Sequence, residues 1–147
     1  MGKEDSPQMH TAEHVLNSVM DAMFHKGRCY SAHINPKKSK CDYHFDRALT
    51  DDEITTIQSR VNEVLTSNLP VTATQMPRDE AMTRFNLERL PDSAGDSLRI
   101  VHVGDVDHCP CIGHHVQNTS EIGTMNIISH DFTDGVLRLR FKLDKPA

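Results

Sequence analysis

The stretch from Thr50 to Leu65 constrains the fold more than any other. Thr50 and Glu53 stand three apart, directly before Ile54, Ile57, Val61, Val64 and Leu65. That spacing is a capping box, in which each side chain satisfies the other residue's backbone N–H at a helix start. The apolar residues recur at helical intervals and share one face, which a stable domain must bury against another layer. Leu69-Pro70 stops the helix, because proline offers no N–H to continue it.

The other layer is legible in the same way. Val15, Leu16, Val19, Met20, Met23 and Phe24 give residues 9–25 an apolar stripe suited to a buried helix, ended at Gly27. Ser31 to Ile34 and Cys41 to Phe45 read as strands of a hairpin turned at Asn35-Pro36-Lys37-Lys38. Val71 to Gln75 is extended, Arg78 to Phe85 is a short helix, and Pro91 to Asp96 is a loop. Leu98 to Val103, Met125 to His130 and Val136 to Leu143 are strands, the last two paired across Asp134-Gly135. The expected architecture is α+β: helices packed on a mainly antiparallel sheet in a single two-layer domain over 1–147, with residues 1–8 a flexible N-terminus.

Composition narrows the setting. No apolar run approaches the length of a membrane span, and the charged start, Met1 to Pro7, leads into no secretory stretch. A cytoplasmic protein with no membrane partner is expected. Four cysteines do not describe a disulfide scaffold at this length, so free or metal-binding thiols are expected. Sixteen basic against twenty-one acidic residues leave a formal charge of −5. No DNA partner is expected, and contact with any nucleic acid requires local patches. Two candidates are Lys37, Lys38 and Lys40, and the alternation Arg138, Arg140 and Lys142.

The chemistry gathers in two places. His10 and His14 are one helical turn apart and project from the same face. Asp107-His108-Cys109-Pro110-Cys111-Ile112-Gly113-His114-His115 concentrates thiols and imidazoles in what proline and glycine make a tight turn. Two nitrogens from the helix with Cys111 and His115 complete a tetrahedral set appropriate to one zinc ion, with Cys109 a rival thiol that spacing does not separate. Glu13 makes the helical motif H-x-x-E-H, the order of some zinc peptidases, but that reading leaves the cysteine cluster unused.

His10-Thr-Ala-Glu-His14, Cys111-Ile-Gly-His-His115-Val and Asn118-Thr-Ser-Glu-Ile-Gly123, with Asn68-Leu-Pro-Val71, Met76 and Glu80-Ala81 between, resemble the editing domain shared by alanyl- and threonyl-tRNA synthetases. The likeness runs from about residue 9 to residue 130, and the chain looks like a free-standing editing protein. The resemblance implies hydrolysis of mischarged aminoacyl-tRNA at its acceptor end: seryl or glycyl groups on alanine tRNA, or seryl on threonine tRNA. It implies His10, His14, Cys111 and His115 as catalytic residues and, in the alanyl branch, as zinc ligands. Ile112-Gly113-His114 stands where the alanyl pattern has Gly-Gly-Thr, and Cys41 to Asp46 looks closer to the threonyl branch. A site that hydrogen-bonds a substrate hydroxyl rejects the analogue lacking it, and Ser31, Asn118 and Thr119 are candidates for that contact. His114 is a candidate acid/base group. The competing class is a non-catalytic module of the same fold that binds metal or an amino acid.

Overall fold

In a computed structural model of the chain, residues 6–85, 87 and 95–146 are described. Helix α1 spans Pro7–Phe24. The Ser6 side chain accepts from the Met9 N–H at 3.2 Å and proline occupies the first turn, so the helix starts earlier than the apolar stripe alone indicates. Of the stretch expected to be flexible, residues 1–5 lie outside the described residues, and Pro7 and Gln8 are helical. Helix α2, Asp51–Leu65, carries the capping box as expected, with Glu53 N–H donating to Thr50 Oγ1 at 3.1 Å and Thr50 N–H to Glu53 Oε1 at 2.9 Å.

The strands are β1 (Ser31–His33), β2 (Ser39–His44), β3 (Val71–Pro77), β4 (Ser97–Val103), β5 (Asp107–Pro110), β6 (Thr124–Thr133) and β7 (Val136–Asp144). Helix α3, Arg78–Arg84, follows β3 directly. The domain is α+β with antiparallel pairing throughout the described strands, but the strands form two sheets rather than one: β1-β2-β7-β6 and β3-β4-β5. The expected β6–β7 hairpin is present, and β7 also inserts beside β2. Most of the expected loop 91–96 lies outside the described residues.

One core fills the space between α1, α2 and the larger sheet. Ala12, Val15, Leu16 and Met20 from α1, Ile57, Val61 and Leu65 from α2, and Tyr43, Leu137, Leu139 and Phe141 from the strands are buried in it. A smaller cluster, Ala81, Leu98 and Ile100, joins α3 to the other sheet. Side chains of α2 also complete the pairing of β6: Asn62 Nδ2 donates to Met125 O at 3.0 Å, and Ile127 N–H donates to Gln58 Oε1 at 2.7 Å. These bonds tie the free edge of β6 to the helix. Among the described residues, no helix is long and apolar enough to cross a membrane.

The sequence reading took Asp107 to His115 wholly as a turn. The structure corrects its first part: β5 pairs with β4 in the register Val103↔Asp107, His102↔His108, Val101↔Cys109 and Ile100↔Pro110. The strand is an edge, where a terminal proline is tolerated, and the turn begins only beyond it.

Candidate functional site

Helix α1 presents His10 and His14 toward the segment leaving β5, which carries Cys111 and His115. One ligand atom from each of the four lies within 4.8 Å of the others. His10 Nε2 and His115 Nε2 each stand 3.4 Å from Cys111 Sγ. A tetrahedral zinc with ordinary Zn–N and Zn–S lengths sets a nitrogen-to-sulfur edge of about 3.6 Å, so the nitrogen and sulfur donors fit such an ion in kind and in spacing. The ring centroids of His10 and His14 each lie within 4.5 Å of that of His115.

Surrounding side chains set the imidazole orientations. The Thr11 hydroxyl donates to Pro7 O at 2.8 Å, which uses its single proton. Toward His115 Nδ1, 3.1 Å away, it can therefore only accept, so the His115 proton sits on Nδ1 and the Nε2 lone pair faces Cys111. Thr11 also accepts from the Val116 N–H at 3.2 Å, locking the loop to the helix. His14 Nδ1 lies 3.3 Å from Asp107 Oδ2, off the hydrogen-bond line but within ion-pair reach. Asp107 is held in turn by Arg28, whose Nη1 and Nη2 donate to its two oxygens at 2.6 and 3.2 Å. A carboxylate behind a histidine that offers its other nitrogen inward is the usual outer support of a metal ligand.

Arg99 fixes the loop, its Nη1 donating to Cys111 O at 3.2 Å and Gly113 O at 2.7 Å. Gly113 lies so close to the His10 ring that a Cβ there would collide with it. The electrostatics keep the donors distinct. Burial, with His14 and His10 alongside, holds His115 down to about 2, so its ring is neutral. Burial alone would raise Cys111, but hydrogen bonding and charge from His14 outweigh it and the thiol is lowered. Burial likewise opposes the charged form of His14, yet Asp107 and Cys111 raise it.

Cys109 does not join the group. It stands on β5, and burial pushes its thiol up to about 12. His114 is exposed and is also outside the group. Two of the three candidate substrate contacts have hydrogen bonds elsewhere. Asn118 caps a 3₁₀ turn through Ser120 N–H at 2.9 Å. Thr119 is buried and accepts from Leu69 N–H at 2.9 Å. Ser31 opens β1 with an exposed side chain. The sequence reading missed Thr11, Arg28 and the supporting role of Asp107. Thr11 and Asp107 stood inside the quoted motifs, but Arg28 had no sequence signal.

The fold and site thus define a class of small α+β domain in which a helical histidine pair meets a Cys-x-x-x-His turn. Residues 98–140 match the family described as the threonyl and alanyl tRNA synthetase second additional domain. The chain is 32% identical over 137 residues to the alanine--tRNA ligase of Fervidobacterium nodosum, a match that covers 92% of this chain and 16% of that one. The ligase of Methanococcus vannielii is also 32% identical, over 90% of this chain and 15% of the ligase. That of Saccharolobus islandicus is 31% identical over the same shares. The chain thus carries the pattern of the second additional domain over residues 98–140 and is similar, over about nine-tenths of its own length, to a segment that makes up about a sixth of each ligase.

Proposed function

We propose that the chain is a trans-editing hydrolase that deacylates mischarged aminoacyl-tRNA, with seryl or glycyl groups on alanine tRNA its first substrates and seryl on threonine tRNA next. The convergence of His10, His14, Cys111 and His115 at a half-open site carries this reading, and the kinship with alanine--tRNA ligases supplies the substrate class. The protein would act in the cytoplasm and contact the acceptor end of the tRNA.

An aminoacyl ester is already activated, so hydrolysis needs a placed water, a stabilised oxyanion and assistance to the leaving ribose hydroxyl. His10, His14, Cys111 and His115 would hold one zinc ion, which supplies a Lewis acid for the carbonyl oxygen or for the attacking water. The chain's own contribution is orientation. Thr11 keeps the His115 proton on Nδ1, and Asp107 aims His14. His10 is the most open of the helical pair, 23% exposed in its side chain against 4% for His14, and so borders the space where ester and water arrive. Ser31 is the candidate hydroxyl contact that is exposed, whereas Asn118 and Thr119 would act by shaping the wall.

The test is a deacylation panel of seryl, glycyl, alanyl and threonyl groups on alanine and threonine tRNAs. Release of serine or glycine from alanine tRNA, lost together with bound zinc in His10→Ala and His115→Ala, is the expected result. Failure to release any amino acid from any of the eight combinations overturns the reading. Full turnover by zinc-free protein removes the metal and leaves the hydrolase.

A further inference from the structure

The fold merges the two basic clusters that lie about a hundred residues apart in the sequence. β2 pairs with β7 so that Lys40 stands directly opposite Arg140. With Lys37 and Lys38 on the adjoining turn, and His33, they line a concavity of about 400 Å³, and none of its lining residues is acidic. Like charges opposed across an antiparallel pair destabilise it, so sheet stability does not account for this placement. The nearby carboxylates offset it only in part. Asp42 is 3.9 Å from Lys40 Nζ but is engaged bidentately by Arg138 at 2.7 and 2.9 Å. Asp131 accepts from Arg140 at 2.9 Å. Lys37 and Lys38 are exposed. A local positive surface on a chain of net charge −5 is a field that a polyanion would find and that overall composition does not supply.

We infer that this concavity is the docking surface for the phosphate backbone of an RNA stem, holding the tRNA whose end enters the His/Cys site. The occupant's identity as tRNA rests on the proposed function. Four cations from a turn and two adjacent strands share this concavity, more positive charge than one small anion neutralises, which suits a chain of phosphates. The surface is also placed for it. Cys29, just before β1, reaches within 3.4 Å of Glu13, which lies 3.7 Å from His10. The chain then runs from Cys29 through β1 to Asn35 at the rim of the concavity, a reach of at most about 20 Å if fully extended. A duplex held at the hairpin turn therefore leaves an interval for its unpaired end to cross to the site.

Binding of uncharged tRNA, followed by fluorescence anisotropy across a salt series, tests this without requiring turnover. Lys37→Ala/Lys38→Ala/Lys40→Ala should weaken binding by at least about tenfold and reduce the slope of log affinity against log salt by about 2. Lys26→Ala/Arg47→Ala/Arg84→Ala removes the same charge from other surfaces and should behave as wild type. Lys37→Glu/Lys38→Glu, confined to the exposed turn, gives the same reading should the Lys40 variant fold poorly. Equal weakening by patch and control variants, or a patch variant with wild-type affinity and slope, overturns the assignment. A chain with no deacylase activity but a patch-dependent slope loses the proposed function and keeps the surface. An active chain whose patch variants bind normally does the reverse.

Discussion

Helix α1 serves two clusters of metal-ligating side chains that differ in access and donor chemistry. Toward one side, His10 and His14 meet Cys111 and His115; toward the interior, Glu13 meets Cys29 and Cys41. Both bring ligand atoms within 4.8 Å of one another. The first is half-open and built on imidazole, with Thr11 and Asp107 directing nitrogens inward. In the second, all three residues are buried. Its carboxylate already has donors: Cys29 Sγ donates to Glu13 Oε2 at 3.4 Å, and Asn17 Nδ2 donates to the same oxygen at 3.1 Å. Three anionic ligands sealed from water would be costly, whereas a carboxylate with hydrogen-bond donors is a stable polar insert. Closeness of ligating atoms is common to both clusters; solvent access and inward-directed lone pairs separate them.

The largest effect should come from exchanging one cysteine in each. Cys111→Ala is expected to abolish zinc retention and slow deacylation by at least about a hundredfold, as the ligand role proposed for it requires. Cys41→Ala is expected to keep zinc and turnover while lowering stability by about 1–2 kcal/mol through the space left in the core. Zinc stoichiometry beside urea denaturation reads both. Loss of zinc in Cys41→Ala would break the distinction and make the two clusters a single centre.

The open cluster was visible in the sequence because each half is local: a helical turn separates His10 from His14, and one short segment carries Cys111 and His115. The closed cluster was not, because Glu13, Cys29 and Cys41 are joined only by the packing of α1 on the first hairpin. Arg28 was hidden for the same reason, reaching Asp107 across 79 positions. Helices and most strands followed from apolar periodicity and turn residues, whereas β5 did not, being a short edge that ends in proline. The division into two sheets depends on β7 entering between β2 and β6, a choice of partner that alternation along one strand does not encode.

Asn17 sharpens the contrast at intermediate size. Its amide donates to Glu13, while its oxygen accepts from the Cys29 N–H at 3.1 Å and the Tyr43 hydroxyl at 2.8 Å. Asn17→Ala removes the acceptor of the Cys29 N–H and the Tyr43 hydroxyl and one donor to Glu13, and a loss of about 2–4 kcal/mol is expected, measured by denaturant unfolding. Zinc content should not change. A loss below about 1 kcal/mol would show that the closed cluster does not hold the core together.

The smallest effect concerns the other face of β2. Cys41 and Tyr43 point from this strand into the core, while Asp42, between them, meets Arg138 across the sheet. Hydrogen bonding from Arg138, with burial opposing and neighbouring cations assisting, holds the Asp42 carboxyl below its ordinary value. A group depressed in the folded state stabilises fully above its unfolded pKa and loses that contribution as pH falls through the folded one. The Asp42–Arg138 contribution should therefore be complete at neutral pH and fade below about pH 4. Since Arg138 is about a third exposed, solvent screening limits it to no more than about 1 kcal/mol. Asp42→Asn should thus lower stability slightly at pH 7 and approach wild type as pH falls below about 4, in unfolding curves taken across the acid range. A gap that persists undiminished at low pH would mean that the substitution disturbs Cys41 and Tyr43 on the inward face, and that the two faces of β2 are coupled.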